Sequence, residues 1–133
     1  MNDKLRAAAE EARLRAYAPY SGFLVGAALS CQSGTVITGC NVENISLGLT
    51  MCAERACVAK AIGQGENSFR HLTIVADTDE PVVPCGGCRQ VLAEFAPDLQ
   101  ITSWTLDGKK QDFSLSALLP IPKQGILQVP RGT

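Results

Sequence analysis

The chain has 133 residues, 46% hydrophobic and 19% charged, with 12 Lys and Arg against 13 Asp and Glu and a formal net charge of -1. That length fits a single domain, 1–133, with a substantial core, and argues against separate catalytic and binding domains. The charge balance offers no broad basic surface for nucleic-acid phosphates, and no apolar run approaches membrane length, so a small uncharged substrate suits the chain better than a nucleic acid or a membrane.

Leu5, Ala8, Ala9, Ala12 and Ala16 recur at helical spacing among charged residues. They predict an amphipathic helix that ends before Pro19 and covers a sheet with its apolar face. Phe23 to Cys31 and Thr35 to Cys40 are β-rich runs joined by Gln32-Ser33-Gly34, which predicts a hairpin. Asn41 to Thr50 has no clear period and reads as a loop. Cys52 to Ile62 is rich in helix formers and is closed by Gly63 and Gly65. Leu72 to Ala76 is a compact apolar strand, Pro84 breaks the chain, and Cys88 to Phe95 resumes helical spacing through Val91, Leu92 and Phe95. Ile101 to Leu106 reads as a strand, Asp107-Gly108 as a turn, and Ser114 to Leu119 as a short helix ended by Pro120. The order α-β-β-α-β-α-β, with that short helix last, predicts a three-layer α/β/α sandwich around a mixed sheet. The opening strands form a hairpin, and the later ones are joined by helical crossovers.

The chemistry concentrates in Cys52-Ala53-Glu54 and Pro84-Cys85-Gly86-Gly87-Cys88, which together supply three thiolates and one carboxylate. Zn²⁺ favours four tetrahedral ligands, so three protein sulfurs leave one position for water, and Glu54 stands close enough in sequence to act on that water. Both cysteine segments precede or open a helix, where unpaired N–H groups and the helix dipole favour the thiolate. Three thiolates leave a zinc centre formally at -1, and Arg55 and Arg89 are candidates to offset that charge by donating to the sulfurs. A different reading is a structural zinc or redox module, closed by one of the remaining cysteines. Cys31, Cys40 and Cys57 are more simply small buried hydrophobes. No secretory pattern opens the sequence, so a reducing cytoplasmic location is expected, where a C-x-x-C pair is a metal or redox element rather than a bridge. His71 is the sole histidine, which gives His-based nucleophilic triads little support.

Cys-Ala-Glu followed by Pro-Cys-x-x-Cys resembles the signature of the zinc nucleobase deaminases. Ala16-Tyr17-Ala18-Pro19-Tyr20-Ser21-Gly22-Phe23, Asn41-Val42-Glu43-Asn44 and Cys85-Gly86-Gly87-Cys88-Arg89-Gln90 extend the likeness to the short cytidine deaminases of pyrimidine salvage, from about Ala16 to Pro120. The resemblance implies a cytidine-deaminase-like fold and zinc held by Cys52, Cys85 and Cys88. It also implies hydrolytic conversion of cytidine and 2′-deoxycytidine to uridine and 2′-deoxyuridine plus ammonia, with Glu54 as proton carrier. By the same resemblance Asn41 and Glu43 bind the ribose, Phe23 packs on the base, the Ala53 backbone meets the ring edge, and the Pro84 carbonyl accepts from the amino group. It further implies a homotetramer with active sites near subunit contacts.

Two positions depart from the family: Leu47 stands where a Tyr is common, Lys123 stands where a Phe is common, and the tail from about 121 to 133 diverges as well. Loss of two rings removes apolar packing worth roughly 1.5 to 3 kcal/mol for each fully buried large side chain. Weaker discrimination around the sugar is then expected, or room for a larger cytosine nucleoside, including an antibiotic such as blasticidin S.

Overall fold

The computed structural model describes residues 2–123. Helix α1 spans Asn2–Arg13, strands β1 and β2 span Val25–Cys31 and Val36–Cys40, and α2 spans Ala53–Gly63. Then come β3 at Phe69–Ala76, α3 at Gly86–Phe95, β4 at Gln100–Thr105, β5 at Lys110–Ser114 and the short α4 at Leu115–Leu118. The five strands form one mixed sheet in the order β2-β1-β3-β4-β5. Only β3 and β4 are parallel, because α3 crosses between them; the other neighbouring pairs are antiparallel.

Successive residues on a strand face opposite sides, and β1 shows the consequence. Ala27, Leu29 and Cys31 join the core beneath α2 and α3, whereas Ala28 joins Leu5, Ala9 and Val75 beneath α1. With both faces covered, the central strands read as continuous apolar runs, and each fully buried Leu or Ile, such as Leu72 and Ile74, contributes about 1.5 to 3 kcal/mol. The predicted α/β/α sandwich is the fold observed.

The first helix stops at Arg13 instead of reaching Ala16. The chain uncoils there because Tyr17 is needed elsewhere: its N–H donates to the Asn41 carbonyl at 3.0 Å, and its carbonyl accepts from the Glu43 N–H at 2.8 Å. The sequence reading also missed β5. Its residues Lys110-Gln111-Asp112 are exposed, as an edge strand allows, so no alternation marked it. The divergent tail lies outside the described residues from 124 onward.

Sheet pairing gathers three chain segments at one end. Val25 pairs with Ala76 and Gly26 pairs with Cys40, so the start of β1 and the ends of β2 and β3 meet there. The chain leaving β2 leads to α2, and the chain leaving β3 leads to α3. Gly39 lets α2 lie close: a Cβ on Gly39 would stand 2.9 Å from the Ala53 carbonyl oxygen and 3.0 Å from the Cys57 nitrogen, so a side chain there is excluded.

Candidate active site

Cys52 and Cys85 occupy the residues just before the first turns of α2 and α3, both with extended backbone, and Cys88 lies in the first turn of α3. The Cys85 sulfur accepts from the Cys88 N–H at 3.5 Å, so one orphan amide of the helix start is satisfied by a prospective ligand. The sulfurs of Cys52 and Cys85 are 4.0 Å apart, those of Cys85 and Cys88 are 3.4 Å apart, and all three lie within 4.8 Å of one another. A tetrahedral zinc with Zn–S bonds near 2.3 Å spaces its sulfurs at about 3.8 Å, so this triad fits that ion. Among the described residues no fourth His, Cys, Asp or Glu joins the group.

Cys57 is elsewhere, buried with its thiol directed to the carbonyls of Ala27 and Ile37, and burial pushes that thiol up to about 12. Cys31 is buried too, and Cys40 half-buried. Cysteine electrostatics at the triad are strongly split. Hydrogen bonding from Cys88, aided by Arg55, pulls Cys52 down to about 5, while the same bond and burial hold Cys88 well above the usual thiol range. Arg55 Nη2 reaches the Cys52 sulfur at 3.6 Å and the Thr50 carbonyl at 2.9 Å, which fits the expected charge-offsetting role.

Arg89 departs from that expectation. It donates through Nε to the Pro84 carbonyl at 2.8 Å and through Nη1 to the Leu118 carbonyl at 3.3 Å, and bonds no sulfur. Side chains on a helix lean toward its N-terminus, and that direction carries this guanidinium to the carbonyl preceding Cys85.

Glu54, in the first turn of α2, is buried at 6% exposure. Burial, reinforced by the Cys52 charge, raises its carboxyl above the usual range. A cleft of about 360 Å³ runs from Cys52, Ala53 and Glu54 past Val82 and Val83 to Phe23, Val25, Asn41 and Glu43. Phe23, Asn41, Glu43 and Ala53 thus share the cleft with Glu54. Pro84 is buried and does not line it; Val82 and Val83 do. Neither Leu47 nor Lys123 lines this cleft: Leu47 is exposed on a single 3-10 turn, and Lys123 Nζ donates to the Glu94 carbonyl at 3.0 Å.

The polar groups of the cleft are also structural. Asn41 Oδ1 accepts from the Val25 N–H at 2.8 Å, and its Nδ2 donates to the Phe23 carbonyl at 2.8 Å, so its amide stands in for a neighbouring strand. Glu43 Oε1 accepts the N–H groups of Tyr20 and Ser21 at 2.9 and 3.1 Å, and Oε2 accepts the Ser21 hydroxyl. These bonds, the hydroxyl foremost, hold its carboxyl below the usual range. The sequence reading assigned Ser21 no role. Its signal lay in the Pro19-Tyr20-Ser21-Gly22 turn, where Gly22 has φ +70° and lets the Phe23 N–H turn back to the Ser21 hydroxyl at 3.0 Å.

A three-sulfur metal position beside a buried carboxylate, at the end of a mixed sheet covered by helices, defines a zinc hydrolase of the nucleobase-deaminase class. The profile "Cytidine and deoxycytidylate deaminase zinc-binding region" matches residues 1–102. A cytidine deaminase of Sporosarcina psychrophila is 46% identical over 119 residues, 89% of this chain and 88% of the relative. One from Halalkalibacterium halodurans is 50% identical over 111 residues, 83% and 84% of the two chains. The crystal structure of cytidine deaminase from Burkholderia pseudomallei aligns with a TM-score of 0.87 at 43% identity, covering 90% of this chain and 97% of that one. The chain therefore belongs to the zinc-binding cytidine and deoxycytidylate deaminase family, a family of hydrolases.

Proposed function

We propose that the chain hydrolyses the C4 amino group of cytidine and 2′-deoxycytidine, releasing ammonia and the uracil nucleoside, in pyrimidine salvage in the cytoplasm. The observation that carries this reading is the shared cleft: Glu54 and Cys52 at one end, Phe23, Asn41 and Glu43 at the other. Cys52, Cys85 and Cys88 would hold the zinc, which would supply a Lewis acid and lower the pKa of a water bound to it toward about 7.

Glu54 accepts one proton from the attacking water and passes it to N3 of the ring; it then takes the proton of the hydroxyl now on C4 and delivers it to the amine, as the C4–N bond breaks and the C4 carbonyl forms. Its raised carboxyl suits that work, because a carrier must hold a proton between two transfers near neutral pH. Arg55 offsets the thiolate charge through Cys52, Phe23 packs against the base, and the Ala53 backbone meets the ring edge. Asn41 and Glu43 meet the sugar hydroxyls.

We further propose a homotetramer. Ile45, Leu47 and Leu49, which lie in the chain between the cleft residues Glu43 and Thr50, are exposed, an apolar edge that a second copy would cover. Among the described residues no helix is long and apolar enough to cross a membrane. The near-neutral charge supports a free nucleoside rather than a polynucleotide as substrate. The test is the ultraviolet absorbance loss of cytidine and 2′-deoxycytidine with zinc-loaded protein, against Glu54→Gln protein of matched metal content. Turnover that needs Glu54 supports the reading; an inert, folded, zinc-loaded protein rejects it.

A further inference from the structure

We infer that Ser21 is a positioning residue of the cleft: its hydroxyl donates to Glu43 Oε2 and accepts from the Phe23 N–H, and so fixes the sugar-side carboxylate and the base-side ring relative to each other. The inference rests on the nucleoside reading of the cleft.

A serine in an exposed turn often bonds an amide two residues on, and that alone explains the contact with Phe23. It does not explain the donor. The hydroxyl hydrogen is directed to a carboxylate 22 residues later in the chain, and that carboxylate lines the cleft. An ionised carboxylate offers about four lone-pair directions. In Glu43 two on Oε1 are taken by the N–H groups of Tyr20 and Ser21, and one on Oε2 is taken by the Ser21 hydroxyl. One acceptor direction on Oε2 is left for a substrate hydroxyl, and Ser21 determines which way it faces. On the other side Phe23 is fixed at both backbone groups, its N–H on Ser21 and its carbonyl on Asn41. Without the Ser21 hydroxyl, Oε2 gains a second free direction that water can occupy, and the Phe23 amide loses its partner.

Steady-state kinetics of zinc-loaded wild type, Ser21→Ala, Ser21→Thr, Glu43→Gln and the Ser21→Ala/Glu43→Gln double variant test this, with melting curves as the check on folding. Ser21→Ala is expected to raise KM for cytidine about tenfold, as loss of a bond to a charged group does, with kcat little changed. Ser21→Thr, which keeps the hydroxyl, is expected to restore KM. In the Glu43→Gln background the Ser21→Ala effect is expected to shrink. An active wild type with Ser21→Ala as its equal would overturn the inference, and so would an undiminished Ser21→Ala effect beside Glu43→Gln. A wild type that fails to turn over cytidine at all would remove the nucleoside reading and this inference together, and that result is distinct from either of the others.

Discussion

Arg55, in the first turn of α2, and Cys52, the residue just before that helix, are joined by a contact of 3.6 Å between guanidinium Nη2 and sulfur, and the same nitrogen is held at 2.9 Å by the Thr50 carbonyl. The second bond fixes the first, since Thr50 anchors the cation where the thiolate charge develops. Arg55→Gln is expected to weaken zinc binding about 10- to 100-fold, the cost usual for a partner of a metal ligand, and to lower kcat. Competition with a chromophoric chelator measures the first effect; unchanged affinity and rate would remove the role.

Glu54→Gln keeps the volume of the side chain and all three sulfurs but removes the carboxylate proposed to carry protons. kcat is expected to fall about 10²- to 10⁴-fold or more, with zinc content intact. A variant of normal zinc stoichiometry that retains wild-type turnover would assign proton transfer to another group.

Zinc binding should depend on pH through the uneven sharing of protons in the triad. Cys52 is pulled down to about 5, whereas the Cys88 thiol is held up by its bond to Cys52 and by burial, so at neutral pH the metal must displace the Cys88 proton. Affinity is expected to fall by about tenfold per pH unit for each proton displaced as solutions are acidified. Chelator competition at a series of pH values gives the slope, and a flat profile would contradict the assignment.

A second pH effect lies on the opposite face of the sheet. His71 Nε2 meets Thr102 Oγ1 at 2.8 Å, and Thr102 donates its hydroxyl hydrogen to Asp112 at 2.6 Å, so Nε2 must carry the imidazole proton. Burial lowers the His71 pKa, with the Asp112 charge opposing that shift. The stabilisation is then complete above the unfolded value of about 6.5 and is lost as pH falls through the lower folded value. Urea unfolding of zinc-saturated wild type and His71→Gln should show their stability difference shrinking on acidification over that window. A constant difference would mean that His71 does not titrate there.

The three-layer fold was readable because α1 and α3 carry apolar helical periods, the central strands read as apolar runs, and α2 is rich in helix formers. The metal triad was readable because Cys52-Ala53-Glu54 and Pro84-Cys85-Gly86-Gly87-Cys88 resemble a zinc-deaminase signature, and their places beside helix starts favour thiolates. β5 was not readable, since Lys110, Gln111 and Asp112 answer to solvent at a sheet edge. Arg89 was misjudged because adjacency to Cys88 says nothing of where a long side chain leans, and here it leans back to Pro84. The bonds of Asn41 and Glu43 to the 20–25 segment were hidden for another reason: pairing across roughly 20 residues depends on the registration of β1 with β2, which no local pattern records.

The close seat of α2 on Gly39 has a mechanical consequence. The Ala53 carbonyl and the Cys57 amide and thiol already stand where a methyl group on Gly39 would lie. Any side chain at 39 would therefore have to push α2, and with it Cys52 and Glu54, away from the sheet. Glycine at 39 thus bears on where the Cys52 sulfur sits relative to β2 without lining the cleft.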